Sequence, residues 1–187
     1  MHYASEDLKD EHDGILFGLR ILEKMTKQLL ENRKVEKDDF RELINFLKLF
    51  ADKCHHGKEE GLLFPAMEKV GIQNQNGPIG QMLIEHAEGR KYISQMSEAI
   101  KDNSVNENDL IQAATNYIRL LRQHIEKENA VLFPMGDKKI PAEIQADLLT
   151  SFEEFEEKVM GKGTHEKLHK LLNRFEIKYL KNKTLNK

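Results

Sequence analysis

Cysteine is nearly absent from this sequence, since Cys54 is the only one among 187 residues. A single cysteine excludes an internal disulfide framework and is typical of proteins in a reducing compartment. Proline and glycine are also scarce, at 4 and 11 residues. Together with 33% charged and 39% hydrophobic residues, this scarcity indicates a soluble helical protein rather than a disordered one.

Two further absences concern membranes and targeting. No apolar run approaches the roughly 20 residues needed to span a bilayer. The N-terminal stretch is polar and acidic, which is unlike a secretory signal peptide. The formal net charge of −3 provides no general attraction to nucleic acid or anionic lipid. We therefore expect a cytoplasmic protein that binds neither nucleic acid nor membranes.

What the sequence does contain is a duplicated motif. A Leu-Phe-Pro tripeptide occurs twice, and aligning the two copies places His55 on His124 and Glu59 on Glu128. On an α-helix, residues four positions apart lie one above the other on the same face. An imidazole and a carboxylate arranged in this way can bind one metal ion or bridge two. The duplication therefore predicts the two halves of a dinuclear metal centre.

Two single histidines extend this pattern. Hydrophobic residues at spacings of three and four predict amphipathic helices, and His12 and His86 both lie within the apolar stripe of such a helix. For an isolated histidine, a hydrogen-bonded position in the core would be the better interpretation. Four histidines with the same placement favour metal ligands instead.

The same periodicity predicts an all-α fold. Four helices of roughly 25 residues with short connections indicate an antiparallel up-down-up-down four-helix bundle, which we assign to residues 1–136. Residues 137–187 are expected to form one or two additional helices, a C-terminal extension packed on the bundle. A proline follows each Leu-Phe pair, which predicts a kink or break in the helix at that point.

Burying four imidazoles and two carboxylates is unfavourable unless cations compensate for them. Two histidines and two shared carboxylates per ion would leave an octahedral ion two open positions, one of which an oxo or hydroxo bridge could fill. Nitrogen and oxygen donors without thiolate suit iron or manganese, and zinc less specifically. The predicted ligands are His12 and His55 for one ion, His86 and His124 for the other, and Glu59 and Glu128 as bridges.

These motifs resemble the hemerythrin-like (HHE cation-binding) family. The resemblance covers about residues 5–136 and rests on Glu11-His12, on Glu85-His86 and on the two His-x-x-x-Glu motifs that precede Leu-Phe-Pro. It implies a non-haem di-iron site bridged by carboxylates, with the same six ligands. Open positions on such redox-active ions are where dioxygen, nitric oxide or peroxide would bind, and we expect a role in sensing, scavenging or stress response.

One departure from the family pattern concerns a fifth histidine. Oxygen-carrying hemerythrins have two histidines one turn apart on the third helix, whereas Met82 and Arg90 stand four residues before and after His86 here. This difference favours sensing or reaction over oxygen storage. His56, His165 and His169 are the candidates for a replacement ligand. However, His56 lies about 100° round the helix from the adjacent ligand, so we expect it to pack at a seam between helices. We expect His165 and His169 to lie on the surface.

Three functional interpretations stay open at this stage. A binding protein for a small ligand is favoured over a di-iron enzyme that decomposes peroxide or reduces nitric oxide. The third interpretation is an iron-donating or interaction protein whose partner the sequence does not identify. The His-Glu-x-x-His pattern at 165–169 also matches zinc peptidases. The sequence predicts no strands that could bind a peptide substrate. Glu176 is the only acidic residue after the pattern, so there is no convincing third zinc ligand, and we reject that alternative.

Overall fold

The computed structural model describes residues 2–101 and 105–181, except for the side chain of residue 165. Regular structure in these ranges is entirely helical, which confirms the predicted all-α class. No helix in the described ranges is both long and apolar enough to cross a lipid bilayer. The α-helices are α1 (Ala4–Leu30), α2 (Lys37–Phe46), α3 (Phe64–Lys69), α4 (Pro78–Ala99), α5 (Glu107–Lys127), α6 (Phe133–Lys139), α7 (Ala142–Met160) and α8 (Thr164–Phe175).

Several of these helices are joined by π-helical segments. Leu47–His56 and Glu59–Leu63 link α2 to α3, so that residues 37–69 form one continuous helix, here called the second long helix. Glu128–Leu132 links α5 to α6 in the same way, and residues 107–139 form the fourth long helix. Helices α1 and α4 are the first and third long helices. A further π-helical segment, Glu176–Lys181, follows α8.

The long helices pack side by side in opposite directions. On α1, Glu11 contacts His55, whereas Gly18, further along α1, lies against Phe46. Residue numbers therefore rise along one helix as they fall along its neighbour, which is how antiparallel helices meet. Contacts between α1 and the fourth long helix, and between the second long helix and α4, run in the same way.

The two prolines that follow the Leu-Phe pairs do not break these helices. Pro65 and Pro134 are the second residues of α3 and α6, directly after the π-helical segments. In each case the chain changes from π-helix to α-helix at this point instead of ending. Of the kink or break predicted from sequence, the break is therefore wrong, and a change of helix type occurs at the proline instead.

Two hydrophobic clusters fill the bundle, and a polar layer separates them. On α1, Leu8 belongs to one cluster and Ile15 to the other, with His12 between them. On the second long helix, Leu63 and Cys54 mark the corresponding ends of the two clusters. The polar residues of the predicted metal centre thus lie at one level of the bundle, between two apolar regions that exclude water.

Helices α7 and α8 contact the long helices. Gln145 of α7 accepts a hydrogen bond from the backbone N–H of Ala4 at 3.0 Å. Phe152 joins one hydrophobic cluster and Phe175 the other. The boundary expected at residue 136 falls inside α6. The division into a bundle and a C-terminal extension stays a prediction. An extension that packs on the bundle would make contacts of this kind.

Candidate metal centre

Four buried histidines, one from each long helix, meet in the polar layer. His86 Nε2 lies 3.2 Å from His124 Nε2. The ring centroids of His12 and His55 are 4.6 Å apart. The two histidine pairs expected from the sequence symmetry are therefore neighbours in the structure.

Glu59 extends from the second long helix toward both pairs. Its Oε1 lies 3.6 Å from His55 Nε2, and its Oε2 lies 3.3 Å from His86 Nε2. Burial alone would raise the pKa of this carboxyl group, but the neighbouring imidazoles of His55 and His86 outweigh burial and lower it. Glu59 is consequently an anionic oxygen donor that faces both halves of the cluster.

Glu128 has the equivalent position on the fourth long helix. Its Oε2 lies 3.3 Å from His12 Nε2 and 3.2 Å from His124 Nε2. The pKa of Glu128 is raised because the group is completely buried and because the negative charge of Glu59 is close to it. Carboxylate oxygens of Glu59 and Glu128 lie within 4.8 Å of each other. When both groups are ionised they repel each other, and bound cations would remove that repulsion.

Many atoms of this cluster have no hydrogen-bond partner within the described part of the chain. A buried polar atom without a partner costs about 1–3 kcal/mol, and folded proteins contain few of them. Metal coordination would satisfy the carboxylate oxygens and one nitrogen of each imidazole, so the residues fit a metal site. The unpartnered atoms are Nε2 of His12 and His55, both ring nitrogens of His56, and both carboxylate oxygens of Glu59 and Glu128.

His56 lies in this cluster, contrary to the expectation that it packs at a seam between helices. Its ring is 2% exposed and stacks on that of His86. Its pKa is well below the usual value because it is buried, and because the rings of His86 and His124 are close to it. The imidazole is therefore neutral and offers a lone pair. The two groups of possible ligands are His12, His55, Glu59 and Glu128, and His56, Glu59, His86 and His124.

The reason for this correction is the type of helix. A rotation of 100° per residue holds for an α-helix, but His55 and His56 end a π-helical segment, in which the turn is wider. Adjacent residues are then separated by a smaller angle, and both rings reach the interior. Of the other candidates, His169 is exposed on α8, and the side chain of His165 lies outside the described residues.

The second ring nitrogen of each predicted histidine ligand also has a hydrogen-bond acceptor. Carboxylate and amide oxygens only accept hydrogen bonds, so the ring hydrogen lies on Nδ1 and Nε2 stays available to a metal. Such bonds orient ligating histidines in metal sites. The pairs are His12 with Asn129 at 2.9 Å, His55 with Glu11 at 2.9 Å, His86 with Glu60 at 2.7 Å and His124 with Glu85 at 3.0 Å.

A cation contacts each of the three carboxylates in these pairs. Sequence analysis used Glu11 and Glu85 only as part of the family pattern and gave Lys58 and Lys127 no role. Two repeats pointed to these four residues, because a Glu precedes each single histidine and a Lys precedes each Glu of the duplicated motif. Sequence analysis noted Arg90 only as the place of an absent histidine. The ion pairs are Glu11 with Lys58, Glu60 with Arg90, and Glu85 with Lys127.

A helical bundle that encloses a buried cluster of imidazoles and carboxylates belongs to the class of metal-binding bundle proteins. The family model of the hemerythrin HHE cation-binding domain matches residues 3–136. The chain therefore belongs to the hemerythrin HHE cation-binding family. This membership confirms the resemblance found in the motifs, and the buried cluster agrees with cation binding.

Comparison with curated proteins finds distant relatives in mycobacteria. The chain is 23% identical over 164 residues to uncharacterized proteins of Mycobacterium bovis and Mycobacterium tuberculosis. These alignments cover 86% of this chain and 64% of each relative, so the chain spans less than two-thirds of their length. No solved structure gives a significant match.

Proposed function

We propose that the protein binds two iron ions in the polar layer and that this centre binds or reacts with dioxygen, nitric oxide or peroxide in sensing, scavenging or stress response. The observation that supports this proposal is the convergence of buried imidazoles and carboxylates from four helices on one space, with many of their donor atoms unpartnered among the described residues. Manganese and zinc suit the same donors and are alternatives. The proposed ligands are His12 and His55 for one ion, His56, His86 and His124 for the other, and Glu59 and Glu128 as bridges.

The donor set is unequal between the two positions. His56 gives the second position three imidazoles, whereas the first has two, so more open coordination sites would remain at the ion held by His12 and His55. When bound, two redox-active ions would supply those sites and the electrons for a reaction with a diatomic ligand or peroxide. The protein's own contribution is to hold the imidazoles in one tautomer and to keep the cluster dry.

Two phenylalanines of the Leu-Phe-Pro motifs cover the cluster. Phe133 stacks on His12 with centroids 5.5 Å apart, and Phe64 stacks on His86 at 5.9 Å. Both phenylalanine rings are buried. Apolar walls of this kind restrict water and large solutes, and they suit a small, weakly polar ligand better than a bulky organic substrate.

Metal analysis and ligand mixing test this function. Protein purified without added metal should contain two irons per chain, and the Glu59→Gln variant should contain fewer. The control His169→Ala alters an exposed histidine on α8 and should retain both ions. Ferrous protein mixed with dioxygen, nitric oxide or peroxide should develop new charge-transfer absorption. Absence of a spectral response to all three would contradict the proposal, and steady-state assays would separate stoichiometric reaction from enzymatic turnover.

A further inference from the structure

The two halves of the cluster contain matching triads of lysine, glutamate and histidine. In each triad the lysine donates to the glutamate, and the glutamate accepts a hydrogen bond from the outward nitrogen of a histidine. The triads also match in sequence, because the glutamate directly precedes a single histidine and the lysine directly precedes a motif glutamate. The first triad is Lys58, Glu11 and His55, and the second triad is Lys127, Glu85 and His124.

The two triads differ in how far their lysine side chain is exposed to solvent. The side chain of Lys58 is 2% exposed, whereas that of Lys127 is 44% exposed. Lys58 also donates to Glu156 of α7 at 3.2 Å, and its ammonium lies 5.5 Å from the ring centroid of Phe152 on the same helix. Helix α7 therefore holds the lysine of the first triad in place, while the lysine of the second triad reaches solvent.

This difference in burial has an electrostatic consequence. Ion pairs in a protein interior are screened much less than ion pairs at the surface, and an exposed lysine contributes little to the position of its partner. A lysine held between Glu156 and Glu11 has few alternative rotamers, so it fixes the Glu11 carboxylate. Glu11 in turn fixes the ring of His55, because the Nδ1 bond determines both the tautomer and the orientation of the ring.

The same residues could be mistaken for a third metal site. Donor atoms of Glu11, Cys54 and Glu156 lie within 4.8 Å of one another. However, the ammonium of Lys58 already contacts both carboxylates. Burial also raises the pKa of Cys54 to about 12, which disfavours the thiolate that a metal requires. The cation at this location is therefore the lysine.

We propose that Glu156 of α7 is a positioning residue that acts through Lys58 and Glu11 to orient the His55 imidazole. One metal position would then depend on α7, whereas the position that contains His124 would not. This inference rests on the proposed dinuclear centre and adds that the C-terminal helices control one half of it. A lysine anchored on α7 would thereby couple the packing of the extension to the metal position with more open sites.

The first test titrates the metal-free 187-residue chain with Co(II) under anaerobic conditions and monitors the visible absorption of the bound Co(II). We expect Glu156→Gln to weaken one of the two binding steps by about 10- to 100-fold and to change the spectrum of that step alone. The control Glu153→Gln alters an exposed carboxylate on the same helix and should bind Co(II) like the wild type. Lys58→Met should reproduce the effect of Glu156→Gln, and Lys127→Met should have a smaller effect on the other step.

The second test uses the metal-free protein, so that it does not depend on metal loading. Nitrogen-15 NMR of the histidine rings should show the Nδ1–H signal of His55 shifted or lost in Glu156→Gln, with the signal of His124 unchanged. Wild-type protein that binds fewer than two Co(II) ions would contradict the proposed function. Wild-type protein that binds two, with Glu156→Gln indistinguishable from Glu153→Gln in both tests, would overturn this inference. So would a third Co(II) ion that Glu156→Gln removes.

Discussion

The imidazole rings of His56 and His86 stack face to face, with centroids 3.8 Å apart and planes inclined by 14°. Their protonation states differ although they are in contact. Burial lowers the pKa of His56, whereas the nearby carboxylates of Glu59 and Glu60 outweigh burial and raise the pKa of His86 to about 9. In the absence of a metal, a proton on His86 partly balances the carboxylates, and His56 stays neutral. A bound cation would take over that proton's role.

The first prediction concerns His56 as a ligand. The matching residue in the other half of the duplicated motif is Ile125, so His56→Ile introduces an apolar side chain that the fold already accepts at the equivalent position. We expect the affinity of one metal position to fall at least about tenfold, because one of three imidazoles is removed. Isothermal titration with Co(II) measures this change. His169→Ala is the control, and unchanged affinity at both positions would show that His56 is not a ligand.

The second prediction concerns the two buried carboxylates. The pKa of Glu128 is higher in the folded protein than in the unfolded chain. The free energy of unfolding therefore falls as the pH rises from the pKa of the unfolded state to that of the folded state. Glu128→Gln removes this penalty, so the metal-free variant should melt a few degrees above the metal-free wild type. Metal at 100 times its dissociation constant should stabilise the wild type by about 2.7 kcal/mol and the variant by less. Thermal unfolding with and without chelator measures both effects.

The third prediction concerns the packing of α7 on the second long helix. A Cβ atom at Gly57 would lie 2.7 Å from Cζ of Phe155, whereas one at Gly61 would meet nothing within 4 Å among the described residues. Gly57→Ala should therefore destabilise the protein by about 1–3 kcal/mol. Gly61→Ala should stabilise it by about 0.5–1 kcal/mol, because alanine is the better helix former. Urea unfolding measures the difference, and equal effects of the two substitutions would contradict this account of the α7 contact.

The fourth prediction concerns the chemical reactivity of Cys54. The side chain is completely buried, and burial raises the pKa of its thiol to about 12. Because the thiolate is the reactive form, a thiol reagent at pH 8 should modify the native protein at least about 100-fold more slowly than the protein unfolded in guanidinium. Rapid modification of the native protein would show that Cys54 becomes exposed through local opening.

Many features of this structure can be predicted from the local spacing of residues in the sequence. Apolar spacings of three and four predict the helices, and the duplicated His-x-x-x-Glu motif pairs His55 with Glu59 and His124 with Glu128. These predictions succeed because residues four apart share a helical face whatever the rest of the chain does. Burial of a histidine within an apolar stripe is likewise visible in sequence, as His12 illustrates.

Other features were decided only by tertiary structure. His56 reaches the cluster because the helix around it is π-helical, and Pro65 is accommodated where that segment gives way to α3. The contact of Glu11 with His55 crosses between two helices, and that of Lys58 with Glu156 spans distant parts of the chain. Periodicity determines which face of a helix is buried. The rotation and axial register between helices depend on how all the side chains pack at once, and no single stretch of sequence contains that information.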